Sequence, residues 1–486
     1  MILNLNHLHA KSAASNAQSV VETMYALLEE GLIDQSQFAR LRIQLDWIQY
    51  KQNFREVVSV VECRNEWGEQ SIMDIHVDTR QVVPGPGCLR KELLRAMERA
   101  RGAAQDEPEA DRIVLEEFQT FRRSIAWKFN GLYWRRLNDW ERATGKGYEQ
   151  ALPGGQSDGH VPEAIAESVT EFWKLLCDME SKKQLPQEIF MLEIGVGSGA
   201  RSKLWLNGLR DRDRSHGTSF YPRLRMLLGD YSLATLDMSK PALKEHEDLC
   251  SFVVLDALNP LQTLAFLRHK VLHVHSNNMY DNLPDEEMLR RDGRMYLVEA
   301  RAYLPMQDAL RIAATFDISV EQVHPMIERL LDGSHDFLGD HDRSLSFWQE
   351  VWKAIRLEER LVQIEDLPDS PFPAGLDAAK LEDMLAEAPS DIRFHLSPGA
   401  VESFSNTLPL LYPRGYLQVQ DIFATEFDQY RVGFHGPGKL DGSIVNWVNG
   451  ALLRKVAERA GFDVRFVPFQ HRKGSKTAVL YTTQRE

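Results

Sequence analysis

Met191-Leu192-Glu193-Ile194-Gly195-Val196-Gly197-Ser198-Gly199 closes an apolar run that begins at Ile189, and it sets three glycines at alternate positions. A buried parallel strand that stops in a glycine-rich turn and then enters a helix lets backbone approach a nucleotide closely, because glycine carries no Cβ and tolerates unusual turn angles. The stretch predicts an α/β fold. From residue 188 onward apolar runs alternate with helical stretches, the pattern of a parallel sheet. Candidate strands cover 189–194, 224–229, 251–255, 271–275, 415–420, 462–468 and 477–482. The last two flank a polar turn, 471–476, and read as a hairpin that adds an antiparallel edge strand.

The flanking regions read differently. Residues 1–155 predict a helical N-terminal domain. Apolar residues recur at helical spacing over 19–32, and a long aromatic-rich pattern over 111–144 carries Phe118, Phe121, Trp127, Phe129, Tyr133, Trp134 and Trp140. Such a stripe reads as core packing. Val82-Val83-Pro84-Gly85-Pro86-Gly87 is a breaker. Leu152-Pro153-Gly154-Gly155-Gln156-Ser157-Asp158-Gly159 is the boundary to a second domain, 156–486. Between the fourth and fifth candidate strands, about 284–397, helical stretches at 325–331, 344–360 and 376–388 predict an inserted helical cap.

A chain of 486 residues can bury a large core. Its 71 acidic residues against 57 Lys and Arg give a net charge of −14, which disfavours a sequence-independent nucleic-acid binder. The N-terminus lacks the zones of a signal peptide, and no window has the roughly 18 consecutive apolar residues of a membrane span. The four cysteines form no CxxC pair. These features read as a cytoplasmic protein with free thiols, bound to no membrane and needing no metal. Oligomeric state stays open.

Acids close three successive candidate strands: Glu193, Asp230 and Asp256. Gly195, Gly197 and Ala200 also satisfy the dinucleotide pattern GxGxxG/A, so the glycines alone leave an NAD(P)-linked oxidoreductase open. That pattern wants an acid about 20 residues further on, at a strand end. Here the position falls in the charged stretch 209–217, and the first acid ending an apolar strand is Asp230.

The acid-x-Gly-x-Gly-x-Gly run resembles class I, Rossmann-like S-adenosylmethionine (AdoMet) methyltransferases, whose sheet has seven strands. The resemblance implies AdoMet as cofactor. Gly195, Gly197 and Gly199 would cradle its amino-acid tail and ribose, and Glu193 would face its ammonium. Asp230, followed by Tyr231, would accept from the ribose diol, and Asp256 with Ala257 would meet the adenine. Ser276-Asn277-Asn278-Met279-Tyr280-Asp281-Asn282-Leu283-Pro284 follows the fourth strand, beside the reactive methyl. Asn277 is placed with the cofactor set, and Asn278, Tyr280 and Asp281 with the catalytic set. Alternatively Asp281 and Asn282 cap a helix whose first turn is Asp285-Glu286-Glu287. The loop 429–443 after the fifth strand offers Tyr430, Arg431, His435 and Lys439, with a helix beginning at Ile444. His435 is the candidate general base, since a histidine pKa is readily brought near neutrality.

Within that class the second half of the chain is similar to the MidA family, protein-arginine methyltransferases linked to assembly of mitochondrial complex I. Shared are a helix over 164–176 feeding the glycine turn, a long gap before the second strand, and an Asn-x-x-x-Asp-x-x-Pro pattern from Asn277 to Pro284. Asn278 stands where the family prefers Glu, which removes a carboxylate suited to a guanidinium. The expectation is methyl transfer to an oxygen or nitrogen of a polar small molecule, a peptide or a protein side chain. A non-catalytic assembly protein built on the same fold is the alternative from outside enzymology.

Overall fold

The computed structural model describes residues 2–6, 13–48, 50, 52–64, 70–81, 86–103, 111–152, 155–334, 336–364, 378–386, 388, 391–431 and 433–485. It is a mixed α/β structure. Apolar runs become the strands of a sheet whose centre is covered on both faces and whose edges are partly exposed. The strands are β1 (Ile189–Ile194), β2 (Leu224–Asp230), β3 (Cys250–Val254), β4 (Val271–Asn277), β5 (Leu411–Asp421), β6 (Phe462–Pro468) and β7 (Ala478–Gln484). They form one sheet in the order β3-β2-β1-β4-β5-β7-β6. Neighbours from β3 to β5 pair in parallel, whereas β7 pairs antiparallel with both β5 and β6. The antiparallel strand is therefore interior and β6 forms the edge, which corrects the expected antiparallel edge strand. The chain passes β7's place, lays down β6, and returns through the hairpin into the gap.

Helix α1 (Ile125–Arg135) belongs to the N-terminal region, and later helices cover the two faces of the sheet. Phe172, Leu176 and Met179 from α2 (Pro162–Ser181) and Trp205, Leu206 and Leu209 from α3 (Ala200–His216) pack on Met191, Met226 and Leu228. On the opposite face Leu192, Leu227, Val274 and Val419 meet Phe404, Leu452 and Val456.

The expectation of helical flanks is corrected. Strands Ile2–Asn6, Leu41–Asp46, Gln70–Asp78 and Val58–Arg64 continue through Arg356–Ile364, Arg294–Pro305, Glu287–Arg291 and Ile392–His395 into one mixed sheet. The N-terminal region and the insertion thus build a single layer, joined where Glu62, Cys63 and Arg64 pair in parallel with Arg360, Leu361 and Val362. The reason is period-two patterning. Leu41, Ile43 and Leu45 are buried with half-buried residues between them, and a strand with one wet face offers no long apolar run.

The helix expected over 111–144 is broken into short strands and two helices, Ile125–Arg135 and Leu137–Thr144. The run expected over 344–360 ends its helix, His341–Ala354, before a strand, Arg356–Ile364. Other inserted helices are Met306–Phe316, Val320–Leu331 and Ala378–Ala386. Phe129, Tyr133 and Trp140 pack with Trp348 and Trp352 as core. Most of the breaker at 82–87, and residues 153–154, 376–377 and 387 of other sequence-based assignments, lie outside the described residues. No helix among the described residues is long and apolar enough to cross a membrane.

Candidate active site

At the end of β1 the backbone N–H groups of Gly195 and Val196 donate to the carbonyl of Gly229 on β2, at 2.9 and 3.2 Å. That pins the turn to the neighbouring strand. Gly195, Gly197 and Gly199 hold φ of +81°, +54° and +74°, the left-handed region in which a side chain is strained. A Cβ on Gly195 or Gly197 would meet nothing within 4 Å, so open space lies against the turn there. A Cβ on Gly199 would press on Ser239 and Leu243 at 3.1 to 3.3 Å, so that glycine serves packing at the start of α3.

Asp230 ends β2 beneath the turn. Its Oδ2 lies 3.4 Å from the Gly197 N–H, and Oδ1 accepts from the Ser232 N–H at 3.0 Å. Burial raises its carboxyl to about 6. Ser232 ties the strand end to the N-terminal region by donating to the Arg135 carbonyl at 3.1 Å. Tyr231 is 43% exposed, with the Arg135 guanidinium 5.9 Å from its ring centre. Asp256 is exposed just past β3, accepting from the Leu258 N–H at 2.9 Å, and Ala257 beside it is half-buried. Glu193, Asp230 and Asp256 so lie at the carboxyl ends of three adjacent strands.

Glu193 differs from its expected placement facing a ligand. It is buried, accepts from Ser202 Oγ at 2.6 Å, and pairs with the equally buried Arg201 at 3.4 Å. The first turns of α3 turn back over the strand and occupy the carboxylate. Its role is to fix the strand-turn-helix unit.

Asn277 closes β4 and donates from Nδ2 to Ser157 Oγ at 2.7 Å; Asn278 donates to the same oxygen at 3.2 Å. The segment carrying Ser157 lies so close that a Cβ on Gly159 would come 2.6 Å from the Asn277 side chain. Arg472, on the β6–β7 hairpin, holds that segment through Asp158 at 2.7 Å. Asn278 itself has φ of +48°. Beyond it Tyr280–Asn282 makes one 3-10 turn organised by Asp421 at the end of β5. Asp421 Oδ2 accepts from the N–H groups of Met279, Tyr280 and Asp281 at 3.1, 2.7 and 3.3 Å. The helix-cap alternative for Asp281 and Asn282 is corrected, because a strand, Glu287–Arg291, follows and not a helix.

Asp281 and Asp421 are both buried. Burial and the neighbouring carboxylate push Asp281 well above the usual carboxyl range, and burial carries Asp421 to about 6. Tyr280 is buried too, which raises its phenol. Tyr148, from the N-terminal region, lies against the same turn, its phenol raised by burial and by the charges of Asp281 and Asp421. Ser157, Asp421 and Tyr148 are the neighbours that sequence reasoning missed. Asp421 was findable: it is a fourth acid closing an apolar strand.

The loop 429–443 does not supply the expected substrate groups. His435 is half-buried between Tyr430 and Trp447, ring centres 4.9 and 5.0 Å away, and burial pushes it down to about 3. A histidine so low is a poor base at neutral pH. Arg431 is exposed and pairs with Asp428, Tyr430 is buried in the core, and a strand, Ser443–Val445, replaces the helix expected from Ile444. Lys439 is buried and donates to the carbonyls of Trp352 and Ile355 at 2.6 and 2.7 Å, closing the end of the helix His341–Ala354. Lys439→Met is expected to cost on the order of 1–3 kcal/mol by removing the lysine donor from the Trp352 carbonyl and leaving the Ile355 carbonyl to Arg356 alone. Thermal unfolding would show the loss.

No family model matches this chain, and no curated protein does. Among solved structures, a COG1565 superfamily member from Burkholderia thailandensis bound to S-adenosyl-homocysteine shares 13% identity, with 83% of this chain and 95% of that one covered at a TM-score of 0.43. The CurJ carbon methyltransferase shares 12%, covering 86% and 76%, at 0.32. The [4+2]-cyclase SpnF shares 9%, covering 74% and 97%, at 0.31. None of these likenesses assigns a role to a residue of this chain.

Proposed function

We propose that this chain is an AdoMet-dependent methyltransferase acting on an oxygen or nitrogen of a polar small molecule, a peptide or a protein side chain. One juxtaposition carries the reading. The open glycine turn and Asp230 meet through the Gly197 N–H beside the β1/β4 boundary, where strand order reverses and open α/β sheets bind ligands. The residues fit the cofactor. Free space against Gly195 and Gly197 would take the amino-acid tail, Asp230 the ribose diol, and Tyr231, Asp256 and Ala257 the adenine side. The rival dinucleotide reading is disfavoured by spacing, because the position about 20 residues beyond the turn lies in or just after α3 and the first acid at a strand end, Asp230, comes later.

Bound AdoMet supplies an electrophilic methyl on a sulfonium. The chain's own contribution is positioning, with Asn278 and Asp281 on the β4 turn orienting the acceptor. The ionised form of the Asp281/Asp421 pair takes the acceptor's proton on a carboxylate oxygen. Asn277, fixed by Ser157, borders both sites.

Calorimetric titration with AdoMet, S-adenosylhomocysteine and NADH tests the cofactor. Saturable binding of both adenosyl ligands and none of NADH is the expected result; no adenosyl binding would overturn the reading. The pH dependence follows from Asp230. A ribose diol donates to the carboxylate, so binding needs the ionised form. Affinity is expected to be flat above about pH 7 and to fall up to about tenfold per unit as pH drops below the raised value of about 6.

A further inference from the structure

A buried file of charges with alternating sign runs through the mixed sheet and ends beside the β4 turn. Arg55 pairs with Asp46 at 3.1 Å and with Glu359 at 3.2 Å. Arg393 bridges Glu359, at 2.9 Å, and Glu287. His395 follows, with Nε2 4.0 Å from Glu287 and Nδ1 2.5 Å from Asp285. Six of the seven are less than 9% exposed; Arg393 is half-buried.

Four acids face two arginines, and a histidine stands at each end of the file: His76, with Nδ1 3.5 Å from Asp46, and His395, beside Asp285. His395 is the cation the structure places within 4 Å of Asp285 among the described residues. Asp285 in turn holds the segment after the turn. Its Oδ1 accepts from the N–H groups of Glu286 and Ser397 at 2.8 and 2.7 Å, while the Pro284 carbonyl accepts from the Gly399 N–H at 2.9 Å.

We propose that Asp285 and His395 are positioning residues for the loop 277–286, so that the placement of Asn278 and Asp281 depends on a proton held by His395. The naming of that loop as the acceptor side rests on the methyltransferase reading; the latch itself does not. The groups facing His395 are Asp285, Glu287 from the paired strand, Arg393 on its own strand, Tyr430 at 5.9 Å, and His435. Asp285 and Glu287 outweigh burial and Arg393, and the imidazole is raised above its ordinary value. A raised histidine stabilises fully below about pH 6.5, its unfolded value, and loses that stabilisation as pH rises through the folded value. Loss of the proton leaves Asp285 buried without a cation.

The test is amide hydrogen exchange of peptides covering 277–286 in the ligand-free protein between pH 6 and 9, corrected for the intrinsic rate. In the wild type, protection is expected to fall with pH, by up to about tenfold per unit above the folded ionisation. His395→Gln should be flat, at the low protection of the alkaline wild type. Retained pH dependence in His395→Gln, or unchanged wild-type protection across the range, would overturn the proposal. If His395→Gln fails to fold, histidine NMR of the wild type decides, because a His395 imidazole that stays neutral at pH 6 also overturns it. The ligand-free readout stands even if S-adenosylhomocysteine does not bind.

Discussion

Gly197→Arg is expected to abolish S-adenosylhomocysteine binding in a protein that still folds. The backbone at residue 197 sits at φ +54°, where a side chain costs about 1–2 kcal/mol, a loss that a large core absorbs. The added side chain enters the space that a Cβ at 197 finds open, which is the proposed cofactor cradle. Steric exclusion from a pocket of this kind costs binding well over about 3 kcal/mol, more than a hundredfold in Kd. Titration with S-adenosylhomocysteine, beside a thermal melt, separates the two effects. A folded Gly197→Arg variant that binds as the wild type does would remove the glycine turn from the site.

Glu193→Ala carries the largest expected effect on stability. Glu193 and Arg201 are each 3% exposed, and removing the carboxylate strands a guanidinium inside the protein beneath α3. Breaking such a buried pair costs about 3–5 kcal/mol, whereas replacing both partners by apolar groups of similar volume is close to neutral. Glu193→Ala should therefore melt far below the wild type, and Glu193→Leu combined with Arg201→Met should recover most of the loss. Denaturant unfolding of the three proteins checks both expectations. Equal stability of Glu193→Ala and the wild type would mean that the carboxylate looks outward, as the sequence pattern implied.

That disagreement shows where sequence reading stops. The central strands β1, β2, β4 and β5 were legible because they are apolar runs largely covered on both faces, and the edge strands β3 and β6 because short apolar clusters mark them despite exposed residues. The interior place of β7 was not legible, because pairing order depends on where the chain returns and not on local pattern. The mixed sheet was missed for a different reason. Strands such as Leu41–Asp46 and Arg356–Ile364 have one polar face, and their period-two signal is short beside the helical spacing that surrounds them.

At the site, Asp230 and Asn277 could be placed at strand ends from sequence alone. The engagement of Glu193 could not, since Arg201 is ordinary helix sequence until α3 turns it back on the strand. His435 and Lys439 looked like site residues because loops rich in glycine and polar groups carry function often. The fold instead uses the lysine to close a helix end and buries the histidine among aromatic rings. The charge file from Asp46 to Asp285 has no sequence signature at all, since its members come from separate segments spread between residues 46 and 395.

The measurement that bears most directly on the central claim is a crystal structure of the protein with S-adenosylhomocysteine. The ligand is expected against Gly195 and Gly197, with its ribose hydroxyls on Asp230 and its adenine beside Tyr231 and Asp256. Ligand density elsewhere on the chain, or an empty glycine turn at saturating concentration, would contradict the assignment of this site and with it the methyltransferase reading.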